Sequence, residues 1–234
     1  MQWKIKRRGL MVGLAVSLAV SAIGISSSIA QAAIDNAALP RMSTPITNLS
    51  LVMFDTETTG FSPSKDRLVE LGAVKIENGQ IVARTNWLIN PGRKIPDRVI
   101  NVHGISDEMV KDKPSFAEIY PEFLAFIGDS ILMAHNARFD VDFVRAEILR
   151  ASQPLPSNTT VDTLKLFRKW YPDAPSHKVG ALIDFIGIQK DEDLHRGDVD
   201  AEMQSMIFLD GLNRHPNVKT LRQFLADAGG LLVF

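Results

Sequence analysis

Leu51 to Phe54 is a short, wholly apolar run that stops at Asp55-Thr56-Glu57. Such a run reads as a central β-strand with its acids at the carboxyl end. Strand alternation then places Asp55 and Glu57 on one face. Leu68 to Glu77 and Gln80 to Ile89 are rich in β-formers and meet at Asn78-Gly79, the strongest short-range hairpin signal in a single sequence. The prediction is a three-stranded antiparallel unit with two carboxylates at the end of its first strand.

Downstream the hydrophobic period changes. Ser115-Phe116-Ala117-Glu118 has the form of a capping box, and Phe116, Ile119, Tyr120, Phe123 and Ile127 follow at helical spacing, so a helix should pack on the sheet. Ile131 to Ala134 reads as a further strand and His135-Asn136-Ala137 as the turn after it. Phe139 to Arg150 then reads as a helix with Phe139, Phe143 and Ala146 on one side. Asp140 falls in its first turn. Val161-Asp162-Thr163 marks another strand-to-helix junction. A last helix from Asp198 or a neighbour to about Gly211 turns Val199, Met203, Met206 and Ile207 inward. With 234 residues, 45% hydrophobic and 23% charged, and no internal repeat, one globular domain accounts for the chain.

The first residues have a different character. Lys4, Lys6, Arg7 and Arg8 precede a small, apolar stretch from Gly9 to Ile25, and Ala30-Gln31-Ala32 stands before Ala33. This is the layout of an export signal over residues 1–32, cleaved before Ala33. The rival is an uncleaved anchor holding the protein to the inner membrane. Arg7-Arg8 also resembles a twin-arginine signal, which leaves the route open. Loss of the leader removes four of the 26 Lys and Arg and none of the 27 Asp and Glu, leaving 22 against 27, a net charge of −5. A broad basic face for nucleic acid is therefore not expected, and any such contact should be local. The absence of cysteine excludes disulfides and thiolate zinc sites. Residues 33–48, with Pro40 and Pro45, read as a tether before a catalytic domain over 49–213. Residues 214–234 form an extension with a helix-like Leu221, Phe224, Leu225 pattern and an apolar end, able to dock on the core or on a partner.

Three stretches carry a family resemblance: Phe54-Asp55-Thr56-Glu57-Thr58-Thr59-Gly60, His135-Asn136-Ala137-Arg138-Phe139-Asp140 and His195-Arg196-Gly197-Asp198-Val199-Asp200-Ala201. Val102 to Glu108 and Val161 to Leu164 support them. From about Leu51 to Gly211 the chain resembles the DnaQ-like 3′-5′ exonucleases of the DEDDh type, particularly the proofreading subunit of the bacterial replicative polymerase. The resemblance implies an α/β, RNase H-like fold, a five-stranded mixed sheet flanked by helices. It also implies that Asp55, Glu57, Asp140, Asp200 and His195 are catalytic. Thr56, Thr58, Thr59, Gly60 and His103 would lie beside the terminal nucleotide.

Physical chemistry agrees with that assignment. Magnesium or manganese prefers oxygen ligands, and several carboxylates plus a substrate phosphate complete the shells of two ions. Two such ions stabilise the attacking and departing oxygens of an in-line displacement together. Asp55 is expected to bridge both ions, Glu57 and Asp200 to hold the one on the side of attack, and Asp140 the one beside the leaving oxygen. His195 would take the proton from the attacking water, since an imidazole ordinarily titrates near neutrality.

Several neighbours have more ordinary readings. Asp142 lies about 200° around the helix from Asp140 and should face away. Asp198 reads as a helix cap, and Asp162 as an N-cap or a second support for the metals. Arg138 and Arg196 either hold phosphate or lie on a solvated face, and Trp87 and Trp170 are better placed in core or rim packing than under bases. Arg98 stands five residues before His103, where the proofreading subunit has an acid, so terminal-nucleotide contacts should differ.

The expected activity is release of nucleoside 5′-monophosphates from the 3′ end of single-stranded DNA by an exported enzyme with no polymerase partner. Short RNA is the alternative polymer. A nucleic-acid-binding module on an inactivated exonuclease fold is the alternative of another class, and retention of every ligand and of the histidine argues against it.

Overall fold

A computed structural model describes residues 39–188 and 195–234. The leader and its cleavage point lie outside these residues. Among those described, no helix is long and apolar enough to cross a membrane. In chain order the elements are β1 (Leu51–Thr58), β2 (Leu68–Glu77), β3 (Gln80–Leu88), α1 (Asp97–His103), α2 (Asp107–Val110), α3 (Phe116–Ile127) and β4 (Ile131–Ala134). There follow α4 (Arg138–Arg150), β5 (Thr159–Asp162), α5 (Thr163–Trp170), α6 (Val179–Ile186), α7 (Gly197–Arg214), α8 (Leu221–Ala228) and β6 (Leu232–Val233).

The sheet order is β3-β2-β1-β4-β5-β6. β1, β2 and β3 form the expected antiparallel unit, with Glu77 paired to Gln80 across the turn. Asn78 and Gly79 have φ of 53° and 70°, the pair of left-handed residues that lets a two-residue turn follow the sheet's twist. β4 joins β1 in parallel and β5 joins β4 in parallel, so the mixed α/β fold is as expected. One strand exceeds the five anticipated, because β6 from the chain's end pairs antiparallel with β5.

Both faces of β1 are covered, which is why Leu51 to Phe54 is apolar without interruption. Val52 and Phe54 pack with α3 and α4 residues, including Phe123 and Phe143. Leu51 and Met53 pack on the other side with residues of α5, α7 and α8, including Phe167, Ile207 and Phe224. Alternation continues this second face into Asp55 and Glu57, so both acids emerge under α7. The capping box of α3 forms as predicted, and all five of its predicted apolar residues are buried. α4 is rotated from its predicted face: it buries Asp140, Val141, Val144, Glu147 and Ile148 with Phe143, while Phe139 and Ala146 are half-buried. A buried Glu147 was invisible to a count of apolar residues.

The tether assignment is corrected over its second half. Ile46 and Leu49 are buried, Pro45 bridges to Thr220, and the N–H groups of Leu221 and Arg222 donate to the carbonyls of Thr44 and Met42. The extension docks on this domain: Leu221 and Phe224 enter the core, and the Trp170 indole donates to Asp227.

α7 reaches the sheet through a backbone contact. A Cβ on Gly72 would lie 1.9 Å from the Gly197 carbonyl carbon and 2.0 Å from the Asp198 nitrogen. Gly72 is the register partner of Asp55, so glycine here lets the start of α7 sit directly over β1 at that acid. Gly72→Ala should therefore destabilise the protein by about 3 kcal/mol in urea unfolding and lower its turnover as well, because no side chain can yield the space. Wild-type stability in that variant would show that α7 docks otherwise.

Candidate active site

The carboxylates meet at the carboxyl end of β1. Glu57, His195 and Asp200 each bring a ligand atom within 4.8 Å of the others. Asp55 lies between Asp140, Asp200 and Glu57, close enough for all three charges to raise its pKa. Asp140 comes from the opposite face of the sheet. Its Oδ1 accepts from the Thr56 N–H at 3.1 Å and the Thr56 hydroxyl at 2.7 Å. Thr56, expected beside the nucleotide, is buried and orients an acid.

His195 stands just before α7, exposed, with a φ of 76° that residues other than glycine seldom adopt. Two anchors hold it in this conformation. Its own N–H donates to Asp200 Oδ2 at 2.7 Å. On its other side, Arg196 donates through Nε and Nη2 to Glu70 Oε1 at 3.0 and 2.8 Å, and the Gly197 N–H donates to Glu70 Oε2 at 2.7 Å. Glu70 is wholly buried on β2, so Arg196 is a structural clamp and not a free phosphate ligand. Asp198 is not the cap anticipated: Arg196 holds that position, and Asp198 pairs with Arg84 of β3 at 2.8 Å.

The turn after β1 is closed upon itself. The Thr58 hydroxyl donates to the Gly60 carbonyl, the Thr59 hydroxyl accepts from the Arg67 N–H, and a Cβ on Gly60 would strike the Asp66 carboxylate. A second buried acid braces this turn, since Glu147 of α4 accepts from Arg67 Nε and Nη2 at 2.6 and 2.9 Å. Phe61, which sequence reasoning passed over, is 79% exposed on the same turn. His103 is buried, with Nδ1 accepting from the Ile105 N–H at 3.0 Å, and burial lowers its pKa against the opposing pull of the Thr58 backbone and Glu70.

A cleft of about 850 Å³ opens at the acids and is lined as well by Asn136, Arg168, His177 and Lys178. His135, at the turn after β4, fixes that wall through a 2.7 Å contact between Nε2 and the His177 carbonyl. Asp162 N-caps α5 by accepting from the Leu164 N–H and accepts also from the Asn136 N–H. Asp142 faces outward and pairs with Arg138. Arg98 is exposed on α1. Trp87 packs on Phe123 and Phe126 and Trp170 on Phe208 and His215, so neither serves the site.

Burial raises the pKa of every acid in the cluster, and mutual repulsion adds to the effect at Asp55 and Glu57. Glu57 is pushed up to about 8 and Asp140 to about 7; Asp55 and Asp200 are raised as well. The groups donating to these carboxylates are neutral: Thr56 to Asp140, the His195 N–H to Asp200, and the Gln204 amide to Asp55 at 2.9 Å. A set of hard oxygen donors so short of compensating charge fits a divalent cation of the magnesium or manganese kind.

The chain belongs to the DnaQ-like exonucleases, since the RNase T exonuclease family model matches residues 52–208. It is 37% identical over 156 residues to the PolC-type DNA polymerase III of Clostridium perfringens, covering 67% of this chain and 11% of that protein. It is 36% identical over 191 residues to the 3′-5′ exonuclease DinG of Bacillus subtilis, covering 77% of this chain and 20% of that one. The chain thus spans about a tenth to a fifth of the length of these curated relatives. Among solved structures, Exonuclease X in complex with 5′ overhanging duplex DNA superimposes with a TM-score of 0.61 at 26% identity, over 76% of this chain and 99% of that one.

The raised pKa values fix a sign. An acid held above its unfolded value keeps its proton in the folded chain after the unfolded chain has lost it, so stability declines as pH rises from about 4 to the folded values. With Asp140 near 7 and Glu57 near 8, the metal-free protein should melt at a higher temperature at about pH 5.5 than at about pH 8.5. Added Mn²⁺ should raise the melting temperature most at the alkaline end. A metal-free melting temperature that climbs across this range would contradict the assignment.

Proposed function

We propose that this protein is a divalent-metal-dependent 3′-5′ exonuclease that releases nucleoside 5′-monophosphates from single-stranded DNA ends. The observation that carries the reading is the convergence of Glu57, His195 and Asp200 within 4.8 Å, beside Asp55 and Asp140, at a cleft that Arg168 and Lys178 also line. Asp55, Glu57, Asp140 and Asp200 would hold two ions, which supply Lewis acidity at the scissile phosphate when bound. His195, exposed at the cleft edge, takes a proton from the attacking water as its oxygen bonds to phosphorus. The bond from phosphorus to the 3′ oxygen of the preceding nucleotide breaks, and that oxygen takes a proton from solvent water and leaves as a hydroxyl. Arg168 and Lys178 carry positive charge to the backbone phosphates further up the strand, and Phe61 offers a face on which the terminal base can stack.

Positive charge confined to Arg168 and Lys178 in the cleft lining supports a single strand over a duplex laid along the protein, in keeping with the acidic net charge of the mature portion. A recessed 3′ end is the second reading, supported by the 5′ overhanging duplex bound to Exonuclease X. The leader-like residues 1–32 support export, to the periplasm or beyond, as a stand-alone enzyme without a polymerase partner, tied to the membrane only if the leader is kept.

Oligonucleotides labelled at the 3′ or the 5′ end, as single-stranded DNA, recessed duplex and RNA, test these points together. Mononucleotides should appear first from the 3′ label, fastest on single-stranded DNA, and chelation should stop their release. Asp55→Asn should abolish hydrolysis while leaving the thermal transition intact, and undiminished turnover in that variant would overturn the assignment.

A further inference from the structure

Gln204 stands one helical turn beyond Asp200 on α7, is 1% exposed, and donates from Nε2 to Asp55 Oδ1 at 2.9 Å. With Asp55 ionised, as a metal ligand must be, the amide nitrogen has to face it, because with the ends exchanged two acceptors would meet with no proton between them. Its Oε1 is enclosed and accepts no hydrogen bond among the described residues. A buried amide with one end unpaired lowers stability relative to an apolar side chain of similar length. Ala201, Met203, Ile207 and Phe208 around it on α7 are apolar and belong to the core. Packing therefore gives no reason for glutamine here, and the bond to Asp55 does.

We propose that Gln204 is a positioning residue, which fixes the Asp55 carboxylate for cation binding. The inference rests on the divalent-metal reading above and extends it to a residue outside the acid cluster. Gln204 gives the Asp55 carboxylate its one side-chain hydrogen bond among the described residues, at the position where all four acids would share ions. The amide holds it there while occupying one acceptor position of Oδ1, which leaves the rest of the carboxylate open to metal. Methionine in this place would fill the volume but could not hold the carboxylate.

Mn²⁺ titrated calorimetrically into metal-free wild type, Gln204→Met and Asp55→Asn separates this role from packing. Gln204→Met should weaken Mn²⁺ binding about tenfold, as loss of a partner that orients a metal ligand commonly does. Its metal-free melting temperature should equal or exceed that of wild type, and its turnover should return in excess Mn²⁺. Wild-type Mn²⁺ affinity in Gln204→Met, with weakened binding in Asp55→Asn, would overturn the role of Gln204 and leave the metal site standing. A metal-free melting temperature below wild type would assign Gln204 to packing and overturn the proposal too. Absence of Mn²⁺ binding by wild type would remove both readings.

Discussion

Gly72 and Gly197 meet backbone to backbone, and the geometry of the acid cluster depends on that contact. It sets the first turn of α7 over the strand pair β1–β2 at the register position of Asp55. Asp200 then lies one turn into a helix whose amino end faces the acids, and His195 lies just before it. The partial positive charge of that helix end offsets some of the repulsion among carboxylates, though not enough to keep their pKa values in the ordinary range. The folded chain thus holds charges together that would separate in water, and two apolar cores, one on each face of the sheet, supply the stability that this requires.

Two buried carboxylates outside the cluster set its borders. Glu70 grips Arg196 and the Gly197 N–H and so fixes the corner that presents His195. Glu147 grips Arg67 and accepts also from the Leu68 N–H, which fixes the turn that presents Phe61. Buried ion pairs of this kind add little net stability compared with apolar packing, but breaking one leaves a charge without a partner. Their value here is geometric. Each ties a loop segment to a rigid element of the core.

What could be read from the sequence divides along physical lines. Local signals were clear: the apolar run into Asp55, the turn at Asn78-Gly79 and the capping box at Ser115 each depend on neighbours in the chain, and each forms. The acids and His195 were legible because their motifs come in order. Residues whose role arises from distant partners were not. Glu70 and Glu147 look like surface charges until Arg196 and Arg67 reach them, and Gly72 is an unremarked small residue until α7 lands on it. Thr56 seemed free for substrate because nothing local reveals that Asp140, 84 positions away, claims its hydroxyl. β6 has two residues and no period to detect, and its pairing depends on β5 being left with an open edge.

The central claim is that the acids at the end of β1 are a cation site made by the fold. Anomalous diffraction from crystals soaked in Mn²⁺ tests it most directly. The account predicts two peaks enclosed by the carboxylates of Asp55, Glu57, Asp140 and Asp200, with Asp55 touching both. A well-ordered site with no peak among those four side chains, or with manganese bound only elsewhere on the protein, would contradict it.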